Sequence, residues 1–266
     1  MRDKRVGILG AGTMGKGIAR AFAQKGYRVM LCDPHETARQ KAFHELSATL
    51  PEGSFSIHSA LPEVKDEIII EAVPEDFAIK QAVLQEIAPH ISAQTIVATN
   101  TSALSVTGLA KDLPYRERFL GWHFFNPAYR LPLVEVIPTP FTMAAVVEES
   151  QEILRSIEKV PIIAPDLPGF IVNRVARPYY VEALRLVEEG NVSPEVVDRL
   201  MEGLGFRMGP FRLMDFIGID VNHAVTEAVW RGLWMPPRFR PSWLQAQKVA
   251  AGHTGKKAGQ GFYSYQ

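Results

Sequence analysis

The sequence predicts an α/β fold, in which a doubly wound and mostly parallel sheet is followed by an all-helical C-terminal domain. Three observations predict it. Strand-like runs alternate with helix-length segments through the first 160 residues, a glycine-rich turn follows the first strand, and the strand signal stops at APDLPGF, residues 164–170. Proline and glycine interrupt the pattern there, so we place a domain boundary near residue 165, between domains 1–165 and 166–266.

The first domain contains seven apolar runs of strand length. They are residues 5–9, 28–32, 67–73, 95–99, 119–123, 133–137 and 159–164. Helical patterns cover residues 13–26 and 76–91, and this alternation is typical of a parallel sheet with helical crossovers. Short connections precede the last two strands, and these predict an antiparallel edge.

The second domain is predicted to consist of helices. Its first segment, FIVNRVARPYYVEALRLVEEG, is interrupted at Arg177 and Pro178, where the proline should kink the helix. The second, SPEVVDRLMEGLG, begins with Ser193 as its N-cap, and a third runs from Pro210 to about Trp234. Residues 235–242, MPPRFRPS, are expected to form a loop.

Composition and charge exclude several classes of protein. The 266 residues include 29 acidic and 29 basic side chains, and this zero net charge gives no sign of a nucleic-acid or membrane-surface protein. Cys32 is the single cysteine, so neither an intrachain disulfide nor a cysteine-based metal cluster can form, and no metal site is expected. The N-terminus lacks the apolar core of a secretory signal, and the apolar runs fall short of the roughly 18 residues of a membrane helix. We therefore expect a cytoplasmic protein.

The turn after the first strand has the spacing of a dinucleotide-binding loop. In VGILGAGTMGKG, Gly10 permits a tight turn, Gly12 lets a pyrophosphate approach the backbone, and Gly15 allows close packing of helix on strand. Thr13 and Met14 open the helix, whose N-terminal N–H groups would face the phosphates. This spacing in this setting predicts a nucleotide-binding domain of the Rossmann type.

The end of the second strand supplies an acidic residue. Asp33 stands 23 residues after Gly10, where a carboxylate can bind the adenine ribose hydroxyls. Pro34 and His35 follow it, in place of an arginine that would receive a 2′-phosphate, which favours NAD over NADP. A glycine turn without a ligand, and a flavin bound by the same loop, remain alternatives at this point.

One histidine and one glutamate stand in the apolar stretch GWHFFNPAYRLPLVEVI, residues 121–137. If its two ends pair as an antiparallel hairpin about Tyr129, His123 lies opposite Glu135, with Cβ atoms roughly 5 Å apart. The glutamate can then fix the tautomer of the imidazole and stabilise the cation that forms when the ring takes a proton. A buried pair that only joins two strands is the structural alternative.

A hydroxyl group follows a neighbouring strand. The run TIVATNTSALS ends a predicted parallel strand, so Ser102 lies at the carboxyl edge of the sheet, where ligands of such sheets bind. It can hydrogen-bond a substrate oxygen, or it can serve only as the N-cap of the following helix. A dinucleotide loop, a base with its partner and this hydroxyl together indicate hydride transfer to or from an alcohol.

Nine segments resemble those of the L-3-hydroxyacyl-CoA dehydrogenase family, of the short 3-hydroxybutyryl-CoA dehydrogenase type. They follow the family's order from Gly10 almost to the C-terminus, so the resemblance covers nearly the whole chain. HFFNP and PGFIVNR are far more specific than the glycine loop. The segments are GAGTMGKGIA, EAVPED, ATNTSALS, HFFNP, LVEVI, PGFIVNR, MGPF, LMDFIGID and GKKAGQGFYSY.

The resemblance implies a role for each matching residue. His123 would be the base that removes the 3-hydroxyl proton as hydride passes from C3 to NAD, with Glu135 as its electrostatic partner. Ser102 would hydrogen-bond the substrate oxygen, and Asn173 would hold the substrate beside the histidine. The residues that would contact the dinucleotide are Glu75, Lys80, Asn126 and Lys257.

The resemblance also implies a homodimer formed through the helical C-terminal domain, which closes over the cleft in the family. The segment FIVNRVARPYYVEALRL fits this, because it has more apolar positions than one exposed helix would carry.

Two departures from the family limit what carries over. Only 37 residues separate Asp33 from Glu71, where family members usually have a longer helical excursion that touches CoA. The basic residues left in it are Arg39, Lys41 and Lys65, and the loop AYRLP, residues 128–132, also differs.

The shortened segment motivates an alternative function, a dehydrogenase of a small free hydroxy acid, gulonate-like or carnitine-like. A catalytically silent NAD-binding protein is a further alternative, against which the set of Ser102, His123, Glu135 and Asn173 argues. A different hydroxyacid dehydrogenase family, with a catalytic lysine followed by asparagine, is disfavoured because GFIVNR has no such lysine.

Overall fold

The computed structural model describes residues 4–60, 68–190 and 192–265. The chain divides into two compact units, Met1–Leu167 and Pro168–Gln266. The boundary predicted from the sequence is near residue 165. Lys65, and Glu67 at the start of one predicted strand, lie outside the described residues.

The first unit contains one sheet, which has eight strands in the part of the chain described. The strands are β1 (Arg5–Leu9), β2 (Arg28–Cys32), β3 (Phe55–His58), β4 (Ile68–Glu71), β5 (Ile96–Thr99), β6 (Phe119–Phe124), β7 (Leu133–Pro138) and β8 (Val160–Ile163). They lie in the order β3-β2-β1-β4-β5-β6-β7-β8 and are parallel from β3 to β6. β7 is antiparallel to β6, and β8 is parallel to β7. The predicted antiparallel edge is confirmed, and it comprises two strands.

Five α-helices follow or connect these strands within the described residues. They are α1 (Thr13–Ala23), α2 (Glu36–Ser47), α3 (Phe77–Ile87), α4 (Val106–Ala110) and α5 (Ala144–Ser156). Every residue of the IIIE and IVAT strands, β4 and β5, is buried, because helices on both faces of a parallel sheet exclude water from both sides. The carboxyl ends of these central strands therefore support the candidate site.

Three elements of the first unit were absent from the predicted set, namely α2, β3 and α5. α2 buries only Ala42 and Leu46, and β3 has no fully buried residue, so neither shows a marked apolar period. α5 buries Val146, Ser150 and Leu154, a stripe at helical spacing that a serine interrupts.

The second unit is helical in its described part. Its helices are α6 (Val172–Glu188), α7 (Pro194–Gly203), α8 (Pro210–Ile217), α9 (Ile219–Gly232) and α10 (Trp243–Ala250). Pro178 lies inside α6 without ending it, and Ser193 occupies the N-cap position of α7 without a capping hydrogen bond from its side chain. Phe211, Met214 and Ile219 are fully buried in the core of this unit.

The single helix predicted from Pro210 to Trp234 is wrong, because the chain forms two helices there. Gly218 separates α8 from α9 with φ +105°, a left-handed conformation that no helical residue adopts. None of the helices that the structure describes is both long and apolar enough to cross a membrane.

Candidate active site

The glycine loop joins β1 to α1, and its three glycines have different surroundings. Gly10 has φ +102°, and a Cβ there would lie 2.6 Å from the carbonyl oxygen of Ala72. A Cβ on Gly15 would lie 1.8 Å from the carbonyl oxygen of Gly10, whereas one on Gly12 would meet nothing within 4 Å. The fold therefore requires the first and third glycines, and the space beside the second is open to a ligand.

The N-terminus of α1 suits an anionic ligand. Gly12 is its N-cap, no side chain caps it, and its first turn holds no acidic residue. Thr13 is exposed and Met14 is half-buried at this end. Because the N–H groups of a first helical turn carry partial positive charge, this part of the structure fits the pyrophosphate of a dinucleotide.

Asp33 closes the glycine loop from the end of β2. Its carboxylate is buried and accepts hydrogen bonds from the backbone N–H of Ala11 at 2.8 Å and of His35 at 2.9 Å. Arg39, on α2, donates to the backbone carbonyls of Asp33 and Pro34 at 2.8 and 2.7 Å. No arginine follows Asp33 directly in the sequence, but α2 places Arg39 beside it. The guanidinium of Arg39 is bound to backbone oxygens.

A buried ion pair lies under the ends of β4 and β5. Glu71 accepts from the Lys80 ammonium at 2.7 Å and from the Thr99 hydroxyl at 2.5 Å, and neither side chain of the ion pair is exposed. Lys80 also donates to the carbonyl of Val73 at 3.2 Å. Lys80 was expected to contact the dinucleotide, but here its side chain has no exposed surface, so in this structure it supports the strand ends.

Glu75 connects this ion pair to the loop that carries Ser102. One carboxylate oxygen of Glu75 lies 3.6 Å from the Lys80 ammonium, and the other accepts from the Thr101 hydroxyl at 2.7 Å. The latter oxygen also accepts from the backbone N–H of Ser102 at 2.7 Å and of Ala103 at 3.1 Å. The backbone position of Ser102 is therefore fixed by a carboxylate.

His123 and Glu135 form a hydrogen-bonded pair across β6 and β7. The two residues are directly opposite in the antiparallel register, so the predicted hairpin pairing is confirmed. His123 Nδ1 lies 2.7 Å from Glu135 Oε2, and the side chains are 5% and 1% exposed. With a proton on Nδ1 directed at the carboxylate, Nε2 is the basic nitrogen of the ring. Such a pair can take a proton from a substrate and stabilise the resulting cation.

The backbone beside His123 is tied to the end of β5. The side-chain oxygen of Asn100 accepts from the backbone N–H of Phe124 at 2.9 Å. Asn126, which was expected to contact the dinucleotide, is exposed and precedes Pro127 through a cis peptide bond. Ser102, His123 and Asn126 thus all follow or end strands at the same edge of the sheet.

Two of the expected site residues, Asn173 and Lys257, belong to the second unit. Asn173 is half-buried in the first turn of α6. The Lys257 ammonium lies 2.7 Å from Asp220 of α9, and both side chains are partly exposed. Their roles toward a substrate and a dinucleotide stay predictions.

Sequence reasoning missed the supporting roles of Glu71, Thr99 and Asn100. A signal for the first was present, because Glu71 ends an apolar strand and a lysine follows nine residues later, at Lys80. An acidic group at the end of a buried strand requires a partner, so the pair could have been proposed.

Two family models match this chain over almost its full length. One, described as 3-hydroxyacyl-CoA dehydrogenase, NAD binding domain, matches residues 5–58 and 52–167. The other, described as 3-hydroxyacyl-CoA dehydrogenase, C-terminal domain, matches residues 169–265.

Several individual proteins are also similar to this chain. A 3-hydroxyadipyl-CoA dehydrogenase of Escherichia coli (strain K12) is 41% identical over 98% of this chain, which spans 59% of that relative's length. The mitochondrial hydroxyacyl-coenzyme A dehydrogenase of Sus scrofa is 34% identical, over 99% of this chain and 91% of the relative. The crystal structure of an (S)-3-hydroxybutyryl-CoA dehydrogenase from Ralstonia eutropha matches with a TM-score of 0.91 and 34% identity, over 99% of both chains.

Proposed function

The chain belongs to the 3-hydroxyacyl-CoA dehydrogenase family and has that family's NAD-binding domain, and we propose that it interconverts an L-3-hydroxyacyl-CoA and the 3-oxoacyl-CoA with NAD as cofactor. 3-Hydroxybutyryl-CoA is the simplest such substrate. Because the E. coli relative is named for 3-hydroxyadipyl-CoA, we include six-carbon acyl chains in the proposed range. The observation that carries the proposal is the buried His123–Glu135 pair, hydrogen-bonded at 2.7 Å.

The residues divide the chemistry as follows. His123 takes the proton of the 3-hydroxyl on Nε2, and Glu135 stabilises the imidazolium that forms. The bound NAD would supply the chemistry of a hydride acceptor for the hydrogen on C3. Ser102 hydrogen-bonds the reacting oxygen, and Asn173 holds the substrate in position. Because the pair is buried, the charge of Glu135 acts on the imidazolium with little screening by water.

The cofactor is held mainly by the first unit in this proposal. The loop of Gly10, Gly12 and Gly15, with Thr13 and Met14, receives the pyrophosphate at the N-terminus of α1, and Asp33 binds the adenine ribose. Residues proposed to contact the rest of the dinucleotide are Glu75, Asn126 and Lys257. We assign Lys80 an indirect part, since it is buried against Glu71 and lies 3.6 Å from Glu75.

A groove in the first unit offers a place for the anionic part of CoA despite the short segment after Asp33. It has a volume of about 680 Å³, and its lining includes Lys16, Arg20, Lys41 and His44 from α1 and α2. Glu45 is the acidic residue in this lining, and it lies 2.6 Å from the Lys16 ammonium. The remaining positive charge favours a phosphate-bearing ligand, and this supports the thioester over a free acid.

We also propose that the chain forms a homodimer through its second unit. Val196, Leu200 and Leu204 recur at intervals of four along α7 and just beyond it, and they are 45%, 63% and 76% exposed. An exposed apolar stripe of this kind is typical of a surface that a partner covers. A cytoplasmic location, expected from the sequence, stays part of the proposal.

The experiment that tests the function is NADH oxidation by the purified chain with acetoacetyl-CoA, run beside acetoacetate at matched concentration. We expect fast turnover of the thioester alone. Replacement of the base, His123→Gln, should lower kcat by a factor of roughly 10²–10⁴ and leave the Kd for NADH, measured by fluorescence, nearly unchanged.

The matched control is His90→Gln, because His90 is exposed near the amino end of β5, opposite the candidate site. This variant should keep the kcat of the parent chain. Turnover of acetoacetate only would move the chain to the free hydroxy-acid alternative. NADH binding without turnover of either compound would favour the silent NAD-binding protein.

A further inference from the structure

Arg177 is a buried cation of the second unit that the proposed reaction does not use. It lies in α6 and is 3% exposed. Its Nε donates to the backbone carbonyl of Asn173 at 3.0 Å, and its Nη1 donates to the carbonyl of Asn222 at 3.0 Å and to the hydroxyl of Thr226 at 2.9 Å. All three of these acceptors are uncharged.

The charge of Arg177 has no acidic counterpart among the residues that the structure describes. Its guanidinium lies 4.8 Å from the ring centre of Tyr180, and no carboxylate of the described residues forms an ion pair with it. Burial lowers the pKa of Arg177 to about 10, so the side chain is still cationic at neutral pH. A buried cation without a counter-ion is costly, and a neutral donor could make the same three hydrogen bonds.

The guanidinium also has donors left over. An arginine side chain has five N–H groups, and three of those on Arg177 are engaged with Asn173, Asn222 and Thr226. The two N–H groups on Nη2 have no protein acceptor within the described ranges. Either of them can donate to a carboxylate oxygen, and a bound carboxylate would supply the missing negative charge.

Arg177 lies one helical turn beyond the residue that is proposed to hold the substrate. Asn173 and Arg177 are four residues apart in α6, so both are on the same side of the helix, separated by roughly 5–6 Å between Cβ atoms. A substrate that contacts Asn173 and extends along this side of α6 brings the far end of its acyl chain toward Arg177.

We propose that Arg177 is a specificity-determining residue, which binds a carboxylate at the far end of the acyl chain. The preferred substrates are then 3-hydroxyacyl-CoA thioesters of dicarboxylic acids, and thioesters that end in a methyl group are still substrates, with a lower kcat/KM. The inference rests on the proposed function, since it selects among substrates of the same reaction.

The test compares two thioesters with the same six-carbon chain, 3-oxoadipyl-CoA, which ends in a carboxylate, and 3-oxohexanoyl-CoA, which ends in a methyl group. We expect kcat/KM of the unmodified chain to be roughly ten- to hundredfold higher for the carboxylate-ended compound, the range given by one hydrogen bond between charged groups. Arg177→Met should bring this ratio close to one, and Arg177→Lys should keep part of it, because it keeps the cation.

The matched control is Arg185→Met, the same replacement on the same helix. The Arg185 guanidinium already lies 3.2 Å from Glu182, so this variant should keep the ratio. Equal kcat/KM for the two thioesters in the unmodified chain would overturn the inference even if no variant folds. An Arg177→Met protein that loses activity on both thioesters by the same factor would also overturn it, since that result indicates a purely structural arginine.

Failure of the inference and failure of the proposed function give different results. Turnover of 3-oxohexanoyl-CoA without any preference leaves the dehydrogenase proposal standing and removes only the role of Arg177. If neither thioester is reduced, both proposals fail.

Discussion

Lys80 and Glu71 bury opposite charges with no exposed surface on either side chain, at a distance of 2.7 Å. Their attraction offsets the cost of removing both groups from water, and the Thr99 hydroxyl and the Val73 N–H satisfy further acceptor sites on Glu71. At the scale of single residues, the site is therefore supported by a buried charge pair that stabilises the fold only when both partners are present.

Removal of one partner of this pair should be strongly destabilising. Lys80→Met leaves the Glu71 carboxylate buried without a cation, and we expect the free energy of unfolding to fall by ~3–5 kcal/mol. The double variant Glu71→Gln/Lys80→Met removes both charges and should recover part of that loss. Urea unfolding followed by circular dichroism measures both.

An exposed pair serves as the comparison. Lys111 and Asp112 lie 3.7 Å apart with side chains 59% and 57% exposed, so Lys111→Met should change the same free energy by less than ~1 kcal/mol. A Lys80→Met protein as stable as the parent chain would show that Glu71 readily finds water or another donor.

At the scale of elements, two glycines of the β1–α1 loop are required for different reasons. Gly15 is needed for packing of the fold, and Gly12 leaves space for a ligand. The Gly15 Cα faces the Gly10 carbonyl, whereas the Gly12 Cα faces open space. The loop spacing, read from the sequence, predicted close packing at Gly15 and a pyrophosphate at Gly12, but not the distances that separate the two requirements.

Two alanine replacements distinguish these requirements. Gly12→Ala should fold with the melting temperature of the parent chain, because its Cβ meets nothing within 4 Å, yet bind NADH at least tenfold more weakly. Gly15→Ala should lower the melting temperature, since its Cβ would lie 1.8 Å from a backbone oxygen. Calorimetry and NADH fluorescence titration give the two readings. Equal NADH affinity in Gly12→Ala and the parent chain would remove the pyrophosphate from this position.

Predictability of the elements followed the strength of their apolar pattern. The β6–β7 register could be derived because the two apolar runs around Tyr129 permit one symmetrical pairing, and it placed His123 against Glu135. α2 and β3 could not be predicted, because few of their residues are buried. The division between α8 and α9 depends on the φ angle of Gly218, which the apolar pattern does not indicate. The links from Glu75 to Ser102 and from Asp33 to Ala11 are tertiary hydrogen bonds, which no local pattern encodes.

At the scale of the whole molecule, the second unit depends on contacts between its helices and residues 262–265. Asp215 is fully buried and accepts from the backbone N–H groups of Phe262 and Tyr263 and from the Tyr265 hydroxyl. Asp198, equally buried, accepts from the Tyr263 hydroxyl at 2.8 Å and from the first turn of α8. Distant parts of the sequence are thereby joined through two carboxylates.

These contacts should make the unit sensitive to alkaline pH. Burial, and then the hydrogen bonds to Asp198 and Asp215, raise the pKa of Tyr263 and of Tyr265 above the usual value. In the unfolded chain both phenols ionise near pH 10, so a stability contribution that is complete below about pH 10 is lost as the pH rises further.

The double variant Tyr263→Phe/Tyr265→Phe tests this dependence. We expect the parent chain to lose unfolding free energy between pH 9 and 11 and the variant to lose less over the same interval, because it has no phenols to ionise at these positions. Urea unfolding at a series of pH values measures the two slopes. Parallel curves for both proteins would show that the phenols contribute nothing to alkaline unfolding.

The hydrogen bond from the Ala11 N–H to Asp33 has a consequence for attempts to redesign coenzyme preference. An engineer who replaces this aspartate to admit a 2′-phosphate also removes the acceptor that closes the glycine loop. Evolution meets the same obstacle, because a single substitution at position 33 passes through a form with a loosened loop. In this chain, a change of coenzyme therefore calls for two coordinated substitutions, one that receives the new phosphate and one that restores an acceptor for Ala11.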